Sequence, residues 1–220
     1  MVAERLSIVV PALNEAAGIR EALEALAPLR RRGHEVLVVD GGSDDGTARL
    51  AAGLCDRVLV APRGRAAQMN AGAREAKGDV LVFLHADTRL PPLADELFLN
   101  NRVWGRFDVR IEGRHPLLRL VAWSMNLRSR LTGIATGDQA IFVRRKAFQG
   151  FPEIALMEDV AFSKAMKRLG RPACLRDKVT TSGRRWESRG VVRTVLLMWR
   201  IRFLYAMGAD PGWLSRLYER

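Results

Sequence analysis

Carboxylate side chains follow three short apolar runs in the first half of the sequence. Glu15, Asp40 and Asp87 each stand within a few residues of the end of such a run. In an open parallel sheet, ligands bind beyond the carboxyl ends of the strands, so these acids are expected to meet at one edge. Asp40 precedes two glycines, which suits a hydrogen bond to a base or ribose, and Asp87 suits a divalent cation that bridges to phosphates. The trio predicts a cleft for a phosphorylated ligand, with helix capping as the alternative for any one acid.

The elements that would position these acids alternate along the first half of the chain. Continuous apolar runs predict strands at Leu6–Val10, Glu35–Val39, Arg57–Val60 and Val80–Leu84. Helical spacing of apolar residues predicts helices between them, at Ile19–Arg31, Thr47–Leu54 and Ala66–Ala76. Strands that are apolar throughout are covered on both faces, as in parallel sheets with right-handed crossovers. We therefore predict an α/β fold with a mostly parallel central sheet and helices on both faces.

The second half of the sequence is less regular. Strands are predicted at Gly105–Ile111 and Ala140–Val143, and helices at Leu117–Leu131, Val160–Leu169 and Val191–Met207. No repeat, low-complexity tract or linker divides the 220 residues, and this length is sufficient for one layered core. We predict a single domain over residues 1–220, with a C-terminal helical segment over about 190–220.

The charge and composition narrow the class of protein. Lys and Arg number 36 against 24 Asp and Glu, a formal net charge of +12. This charge favours an anionic partner such as a nucleotide, a nucleic acid or an anionic membrane surface, with a coding bias toward arginine as the alternative. The ordinary balance of residues excludes a disordered or disulfide-rich chain. Two cysteines and the absence of a signal-peptide pattern lead us to expect a cytoplasmic protein.

Known nucleotide-binding fingerprints are missing, but six other motifs occur in order. Neither a G-x-G-x-x-G turn after the first strand nor a P-loop is present. The six motifs are VVPALNE (Val9–Glu15), VVDGGSDDGT (Val38–Thr47), RGRAAQMNAGAREAKGD (Arg63–Asp79), FLHADT (Phe83–Thr88), GDQAIFVRR (Gly137–Arg145) and MEDVAF (Met157–Phe162). Together they resemble family 2 glycosyltransferases with the GT-A fold, from Leu6 to about Trp186. The likeness is nearest to a small bacterial branch labelled as arsenosugar-biosynthesis glycosyltransferases, a label that assigns no substrate.

The resemblance implies a nucleotide-sugar donor and places residues around it. Pro11, Asn14 and Glu15 would line the nucleotide pocket. Asp40 would contact the base, beside Gly42.

The diphosphate side of the donor would be reached by later motifs. Arg65, Gln68 and Asn70 lie in the stretch that approaches the ribose and diphosphate in the family. Arg185 and Trp186 loosely resemble a late Arg-Trp motif that contacts diphosphate or acceptor, and arginine forks suit phosphate oxygens. A surface arginine pair (Arg184 and Arg185) beside a core tryptophan is the alternative.

The metal site is where the sequence departs from the family. Asp87 matches the last acid of the D-x-D motif and would hold Mg²⁺ or Mn²⁺, with Ala86 beside it in the donor site. His85 stands where the family has the first Asp, so it is either a second ligand or a side chain with another role. Asp138 would shape the sugar pocket or only turn the chain.

Glu158 and Asp159 resemble the acidic pair on the acceptor side, whose Asp acts as base in inverting members. Glycosyl transfer passes through an oxocarbenium-like centre, and an acceptor hydroxyl must lose a proton to a carboxylate. At a helix N-terminus the macrodipole is expected to keep Asp159 ionised, with plain N-capping as the alternative.

The final helix carries an apolar stripe at helical spacing: Val192, Leu196, Trp199, Phe203 and Met207. Three arginines interrupt the stretch, so no simple transmembrane segment is predicted. An interfacial helix on a lipid surface is one interpretation. We favour the other, a helix that packs on the domain or on a second subunit.

The leading hypothesis is an inverting, metal-dependent glycosyltransferase that uses a nucleotide-sugar donor and an unknown hydroxyl acceptor, lipid-linked or small. A homodimer through the last helix and a peripheral contact at the inner face of the membrane remain open, and no nucleic acid is expected as partner. Two alternatives are a basic, non-enzymatic nucleic-acid-binding module and a degenerate glycosyltransferase fold in which His85 marks lost metal binding.

Overall fold

A mixed sheet runs through the centre of the protein in a computed structural model, which describes residues 4–99 and 102–219. Within these residues the sheet has eight strands in the order β3-β2-β1-β4-β7-β6-β8-β5. The strands are β1 (Leu6–Ala12), β2 (Glu35–Asp40), β3 (Arg57–Val60), β4 (Val80–Phe83), β5 (Thr88–Arg89), β6 (Trp104–Glu112), β7 (Ile141–Arg144) and β8 (Ala173–Ser182). The helices are α1 (Ile19–Arg31), α2 (Thr47–Ala51), α3 (Arg65–Glu75), α4 (Leu117–Thr132), α5 (Glu158–Met166), α6 (Arg184–Arg189), α7 (Val191–Ala206) and α8 (Pro211–Glu219).

The first four strands are parallel neighbours, as the sequence predicts. β1 lies between β2 and β4, and every residue of β1 is buried. Alternate side chains of β1 enter opposite faces of the sheet because the side-chain period of a strand is two residues. Ile8 packs with α1 on one face, and Val9 packs with α3 on the other. The predicted α/β fold with helices on both faces is confirmed.

A glycine sets the distance between α3 and β1. A Cβ atom at Gly72 would collide with the side chain of Val9 and lie 3.0 Å from Val39. The helix therefore rests directly on the strands, and the loop that precedes it is held close to the carboxyl ends of β1 and β2.

The second half of the sheet is mixed in direction. β7 is antiparallel to both β4 and β6, and β8 runs parallel to β6. β5 and β8 were not predicted, because β8 has the sequence ACLRDKVTTS and is mostly half-buried or exposed. Its pairing partner β6 lies more than 60 residues away in sequence, and no local pattern reports such a pairing. The short helix α6 and the last helix α8 were also not predicted.

Helix α7 shows which of its faces packs on the domain. Val191, Thr194 and Ile201 are buried. The opposite face is the apolar stripe, and all five of its residues are at least 60% exposed: Val192, Leu196, Trp199, Phe203 and Met207. The helix packs on the domain, as favoured from the sequence, but a different face makes the contact and leaves the apolar stripe exposed. Among the described residues, none of the helices combines the length and the apolar character needed to cross a bilayer.

Candidate active site

The loops at the carboxyl ends of β1 and β4 carry Glu15 and Asp87, which lie close enough for their charges to interact. Burial raises the pKa of Glu15, and the nearby charge of Asp87 raises it further. Arg184 and Arg185 at the start of α6, together with His85, oppose this shift. These five residues, Glu15, His85, Asp87, Arg184 and Arg185, form the Glu15 cluster. Two acids faced by two arginines can bind a group that carries both a cation and anionic oxygens.

Asp40, the third acid of the predicted trio, is buried and hydrogen-bonded within its own loop. Its carboxylate accepts hydrogen bonds from the amides of Gly42 at 3.0 Å and Ser43 at 2.9 Å, and the Ser43 hydroxyl donates to its other oxygen. The residue is 4% exposed. The loop also binds Asn14, whose backbone N–H donates a hydrogen bond to the Ser43 hydroxyl. Asp40 therefore organises the loop at the edge of the sheet, which corrects the picture of a carboxylate free to meet the base.

Gly42 and Asn14 adopt left-handed backbone conformations in these connected loops. Their φ angles are 84° and 54°. Glycine enters this region without strain, and asparagine enters it more readily than most side chains. Asn14 also accepts a hydrogen bond from the amide of Asp44 through its side-chain oxygen. Pro11, predicted in the nucleotide pocket, is instead buried within β1, where it lies opposite Val39.

Two amides predicted to approach the ribose and diphosphate are buried inside the protein. The side-chain nitrogen of Gln68 donates to the carbonyls of Ala12 at 2.7 Å and Val39 at 2.9 Å, and so ties the ends of β1 and β2 together. Asn70 exchanges two hydrogen bonds with the backbone of Phe151. Their polar groups are used for packing α3, because an unpaired buried backbone carbonyl would be costly.

The second group of charged residues is built on α5 and on the segment Gly137–Gln139. Asp159 accepts a hydrogen bond from the amide of Gly137 at 3.0 Å. Glu158 is 5% exposed, and its carboxylate lies 3.7 Å from the guanidinium of Arg65. Arg65, Asp138, Glu158 and Asp159 form the Asp159 cluster.

Burial has the largest effect on the pKa values of Glu158 and Asp159. Burial raises the pKa of Glu158, and the charge of Asp159 raises it further, while Arg65 acts in the opposite direction. Burial also raises the pKa of Asp159, although the amide of Gly137 and Arg65 act to lower it. The pKa of Asp159 is thus raised and not lowered, because loss of hydration outweighs the helix terminus. A carboxylate with a raised pKa is a stronger proton acceptor.

His85 links the two clusters. Its Nδ1 lies 3.3 Å from Oδ1 of Asp138, and its charge also acts on Glu15. Burial alone would raise the pKa of Asp138, but the hydrogen bond and charge of His85 outweigh it and lower the pKa. The other side of the ring lies against Gly137, where a Cβ atom would collide with Nε2. Both sides of the imidazole therefore face protein atoms, which argues against His85 as a metal ligand.

The donor atoms near Asp87 suit a cation that is shared with a substrate. Asp87 is exposed, and one of its oxygens accepts a hydrogen bond from Thr88 at 3.2 Å. In residues 4–99 and 102–219, no group of three His, Cys, Asp or Glu side chains is arranged to hold a metal ion. Mg²⁺ commonly binds through one or two carboxylates, with the remaining positions filled by substrate phosphates and water. Asp87, with Glu15 nearby, fits this kind of site and does not form a complete protein cage.

Helix α6 carries Arg184, Arg185 and Trp186, and the two arginines have different surroundings from the tryptophan. Arg184 and Arg185 reach the Glu15 cluster, and Nη1 of Arg185 also donates to the Tyr218 hydroxyl at 2.6 Å. Trp186 packs against the main hydrophobic core. This packing agrees with the alternative interpretation of Trp186 as a core residue, and Ala86 is buried.

Three residues near the acids were missed in the sequence. Tyr205 of α7 and Arg128 of α4 both lie within the electrostatic influence of Asp159, and Tyr218 of α8 contacts Arg185. Each occupies a helix whose local pattern indicates only packing, so no signal in the sequence would have selected them. Helix α7 contacts α4, α6 and α8 and packs against Met157 and Val160 at the start of α5.

Similarity to known proteins was found at the level of family, relatives and fold. The sequence model of Glycosyl transferase family 2 matches residues 7–150. An undecaprenyl-phosphate 4-deoxy-4-formamido-L-arabinose transferase from Pseudomonas fluorescens is 33% identical over 156 residues, which cover 63% of this chain and 46% of that protein. Glycosyltransferase AglE from Haloferax volcanii is 33% identical over 91 residues, 37% of this chain and 30% of that protein. The chain thus spans less than half the length of these curated relatives.

Two solved structures illustrate the fold. The mannosyltransferase PcManGT from Pyrobaculum calidifontis, in complex with GDP-Man and Mn²⁺, matches with a TM-score of 0.64 and 21% sequence identity. The match covers 99% of this chain and 70% of the mannosyltransferase chain. Glucosyl-3-phosphoglycerate synthase from Mycobacterium tuberculosis, in complex with Mn²⁺ and UDP-glucose, matches with a TM-score of 0.59 and 20% sequence identity. The match covers 81% of this chain and 70% of the synthase chain. At these identities the likeness shows the fold alone.

Proposed function

The chain belongs to glycosyl transferase family 2, and from this membership we propose that it transfers a sugar from a nucleotide-diphosphate donor to an acceptor, with inversion and with a divalent metal ion. The observation that carries the proposal is the meeting of the two clusters. Asp87 and Glu15 face two arginines on one side, and His85 connects them to the buried Glu158–Asp159 pair on the other. A non-enzymatic nucleic-acid-binding module has no need of two such acidic clusters.

The Glu15 cluster would hold the diphosphate of the donor. Asp87 would bind Mg²⁺ or Mn²⁺, which would neutralise the charge that develops on the leaving diphosphate. Arg184 and Arg185 would contact the phosphate oxygens, since both guanidinium groups lie near Glu15. The solved structures named above contain Mn²⁺ with nucleotide sugars, which supports a metal-dependent donor site.

The Asp159 cluster would act on the acceptor. Asp159 would take the proton of the acceptor hydroxyl, and burial favours this role because it raises the pKa of the carboxyl group. Arg65 would keep enough ionised carboxylate available, since its charge lowers the pKa of both Glu158 and Asp159. Asp138, held by His85, would orient the sugar between the two clusters.

Calorimetry with nucleotide sugars tests the donor site. UDP-sugars and GDP-sugars should be titrated with and without Mn²⁺, and we expect at least one to bind more tightly when Mn²⁺ is present. Asp87→Ala should abolish the gain from Mn²⁺, whereas Asp177→Ala, at an exposed position of β8, should leave it unchanged. If no nucleotide sugar binds under either condition, the proposed function is wrong. Donor binding without any transfer or hydrolysis would indicate a degenerate member of the family.

We also propose that the acceptor is lipid-linked and that the protein contacts an anionic lipid surface through the apolar stripe of α7. Curated relatives are named as undecaprenyl-phosphate sugar transferases, which supports a lipid acceptor. Arg193 and Arg200 are exposed on one flank of the stripe, and the net charge of +12 complements anionic headgroups. The narrower likeness to the arsenosugar-biosynthesis branch stays a prediction, since the relatives found here carry other names.

Helix α4 contacts α7, and its exposed residues also support the proposed lipid contact. Its outward face is also apolar and exposed, at Leu120, Trp123, Leu127 and Leu131. Two neighbouring helices that expose tryptophan and leucine are unusual on a protein that stays in water.

Sedimentation with vesicles tests the lipid contact. The protein should bind phosphatidylglycerol vesicles more tightly than phosphatidylcholine vesicles, and Trp199→Glu should weaken this binding about tenfold. Leu169→Glu is the matched control, because Leu169 is an exposed leucine outside the stripe. If Trp199→Glu instead converts a dimer to a monomer and leaves vesicle binding unchanged, the stripe is a subunit interface and the lipid proposal is wrong.

A further inference from the structure

Arg128 carries a buried guanidinium edge that nothing in the described chain satisfies. The residue lies in the last two turns of α4 and is partly buried. Its Nε and Nη2 atoms are both buried, and neither has a hydrogen-bond partner among residues 4–99 and 102–219. Burying a charged donor without a partner is strongly unfavourable, so such groups call for a ligand or another explanation.

The same edge of arginine binds oxyanions elsewhere in this protein. Nε and Nη2 of Arg32 donate to the two carboxylate oxygens of Asp95, at 2.6 and 2.7 Å. Arg30 presents the same pair of atoms to Asp56, each at 3.3 Å. These two atoms lie on one side of the planar guanidinium and match a bidentate oxyanion. In Arg128 this pair is buried, without a protein carboxylate among the described residues to receive it.

The surroundings of Arg128 place it beside the Asp159 cluster. The charges that act on Arg128 are those of Asp159, Arg106 and Asp138. The charges that act on Glu15, at the other end of the site, are those of Asp87, Arg184, Arg185 and His85. The guanidinium of Arg128 therefore lies within the electrostatic influence of the carboxylate assigned to the acceptor, whereas Arg184 and Arg185 act on an acid assigned to the donor.

A structural salt bridge does not explain this arrangement. Arg106 of β6 is fully buried but has partners, because it donates to Ser129 of α4 and to the carboxylate of Asp108. Arg130, two residues after Arg128, donates to Asp108 at 2.5 Å. The protein thus satisfies the arginines that serve packing in this region, and it leaves the edge of Arg128 unsatisfied.

We propose that the Nε and Nη2 atoms of Arg128 bind a phosphate group on the acceptor, next to Asp159. The proposal rests on the proposed function in one respect, the assignment of Asp159 to the acceptor side. Phosphate fits because it offers several oxygens to a bidentate fork and carries up to two negative charges. Arg128 is then a residue that selects acceptors, and it is separate from the donor-binding arginines.

Calorimetry with inorganic phosphate tests this assignment. Phosphate is titrated into protein already saturated with Mn²⁺ and the nucleoside diphosphate that binds it, so that the diphosphate site is occupied. We expect Arg128→Gln to weaken phosphate binding at least about tenfold, and Arg128→Lys to weaken it less, because lysine keeps the charge and loses the fork. Arg119→Gln, at an exposed arginine on the same helix, should bind phosphate as the unaltered protein does.

Thermal unfolding separates ligand binding from a structural role. Without phosphate, Arg128→Gln should keep or raise Tm, because it removes an unsatisfied buried charge. Phosphate should raise the Tm of the unaltered protein and leave that of Arg128→Gln unchanged. A lower Tm for Arg128→Gln without phosphate, with no difference in phosphate binding, would overturn the proposal and indicate a packing role.

The outcomes for donor and acceptor can be told apart. If Arg128→Gln weakens nucleoside diphosphate binding as much as phosphate binding, Arg128 belongs to the donor site and the inference fails while the proposed function stands. If no nucleoside diphosphate binds but phosphate binding still depends on Arg128, the proposed function fails and the anion site stands. Absence of phosphate binding to the unaltered protein overturns the inference.

Competition then identifies the source of the phosphate. Undecaprenyl phosphate in detergent micelles and the soluble compound 3-phosphoglycerate are each added against bound inorganic phosphate. Displacement by the lipid at lower concentration than by the soluble compound indicates a lipid headgroup, as the exposed apolar face of α4 favours. The opposite order indicates a soluble phosphorylated acceptor, and failure of both to displace phosphate contradicts an acceptor role.

Discussion

The two acidic clusters lie at the same edge of the sheet, but the protein surrounds them differently. Asp87 in the Glu15 cluster is exposed and faces arginines on a separate helix. Glu158 in the Asp159 cluster is 5% exposed, and its acidic neighbour Asp159 adds to the effect of burial on its pKa. Open carboxylates suit a cation and phosphates that arrive with the substrate, whereas buried carboxylates suit proton transfer. The exposure of Asp87 and the burial of Glu158 distinguish the two roles.

Removing the carboxylate of the buried cluster should have the largest effect. Asp159→Asn should lower the rate of transfer about 10²- to 10⁴-fold, because a general base contributes about this much. Donor binding by calorimetry should be unchanged, since the asparagine oxygen can still accept the hydrogen bond from Gly137. Asp177→Asn serves as the control. Transfer at the normal rate by Asp159→Asn would remove the assigned base and, with it, the contrast between the clusters.

The pH dependence of the transfer rate tests the effect of burial on the Asp159 cluster. The pKa values of Glu158 and Asp159 are raised by burial, so the rate should fall as the pH drops through a value above that of an ordinary carboxyl group. Arg65→Gln should move this acidic limb to higher pH, because Arg65 lowers both pKa values. Arg63→Gln, at an exposed arginine just before the helix, should leave the limb in place. A shift to lower pH for Arg65→Gln would contradict the electrostatic account.

A substitution at Gln68 tests whether its buried side chain stabilises the carboxyl ends of β1 and β2. Gln68→Met has similar length but leaves the carbonyls of Ala12 and Val39 without their donor. We expect a loss of about 2 kcal/mol in the free energy of unfolding, measured by urea denaturation. Gln149→Met, at an exposed position, is the control. Weaker donor binding by a Gln68→Met protein of unchanged stability would favour the original prediction of a donor contact.

Asp95, a carboxylate outside both clusters, has a pKa shift of the opposite sign, because its pKa is lowered. Burial alone would raise the pKa of Asp95, but hydrogen bonds from Arg32 and His34 outweigh it and lower the pKa to about 2. The unfolded value is about 3.9, so this stabilisation is complete above that pH and is lost as the pH falls through about 2. Asp95→Asn should therefore lower stability at pH 6 and converge with the unaltered protein near pH 2. Equal differences at both pH values would contradict this assignment.

Local sequence patterns were sufficient to predict the strands and helices of the parallel half of the sheet. Helix α1 spans Ile19–Arg31 as predicted, and β3 spans Arg57–Val60. Apolar runs and helical spacing are properties of neighbouring residues, so burial on one or both faces leaves its record in the sequence. β8 left no such record, because its long pairing with β6 depends on backbone hydrogen bonds between distant segments.

The sequence by itself determined the family, the order of the motifs and the positions of Glu15, Asp87, Glu158 and Asp159 at element ends. Only the tertiary structure decided which polar groups stay free for a ligand. Asp40, Gln68 and Asn70 make their hydrogen bonds within the protein. The direction of a side chain and the water around it depend on what packs against it from elsewhere in the chain. For the same reason the outward stripe of α7 and the unsatisfied edge of Arg128 became visible only in three dimensions.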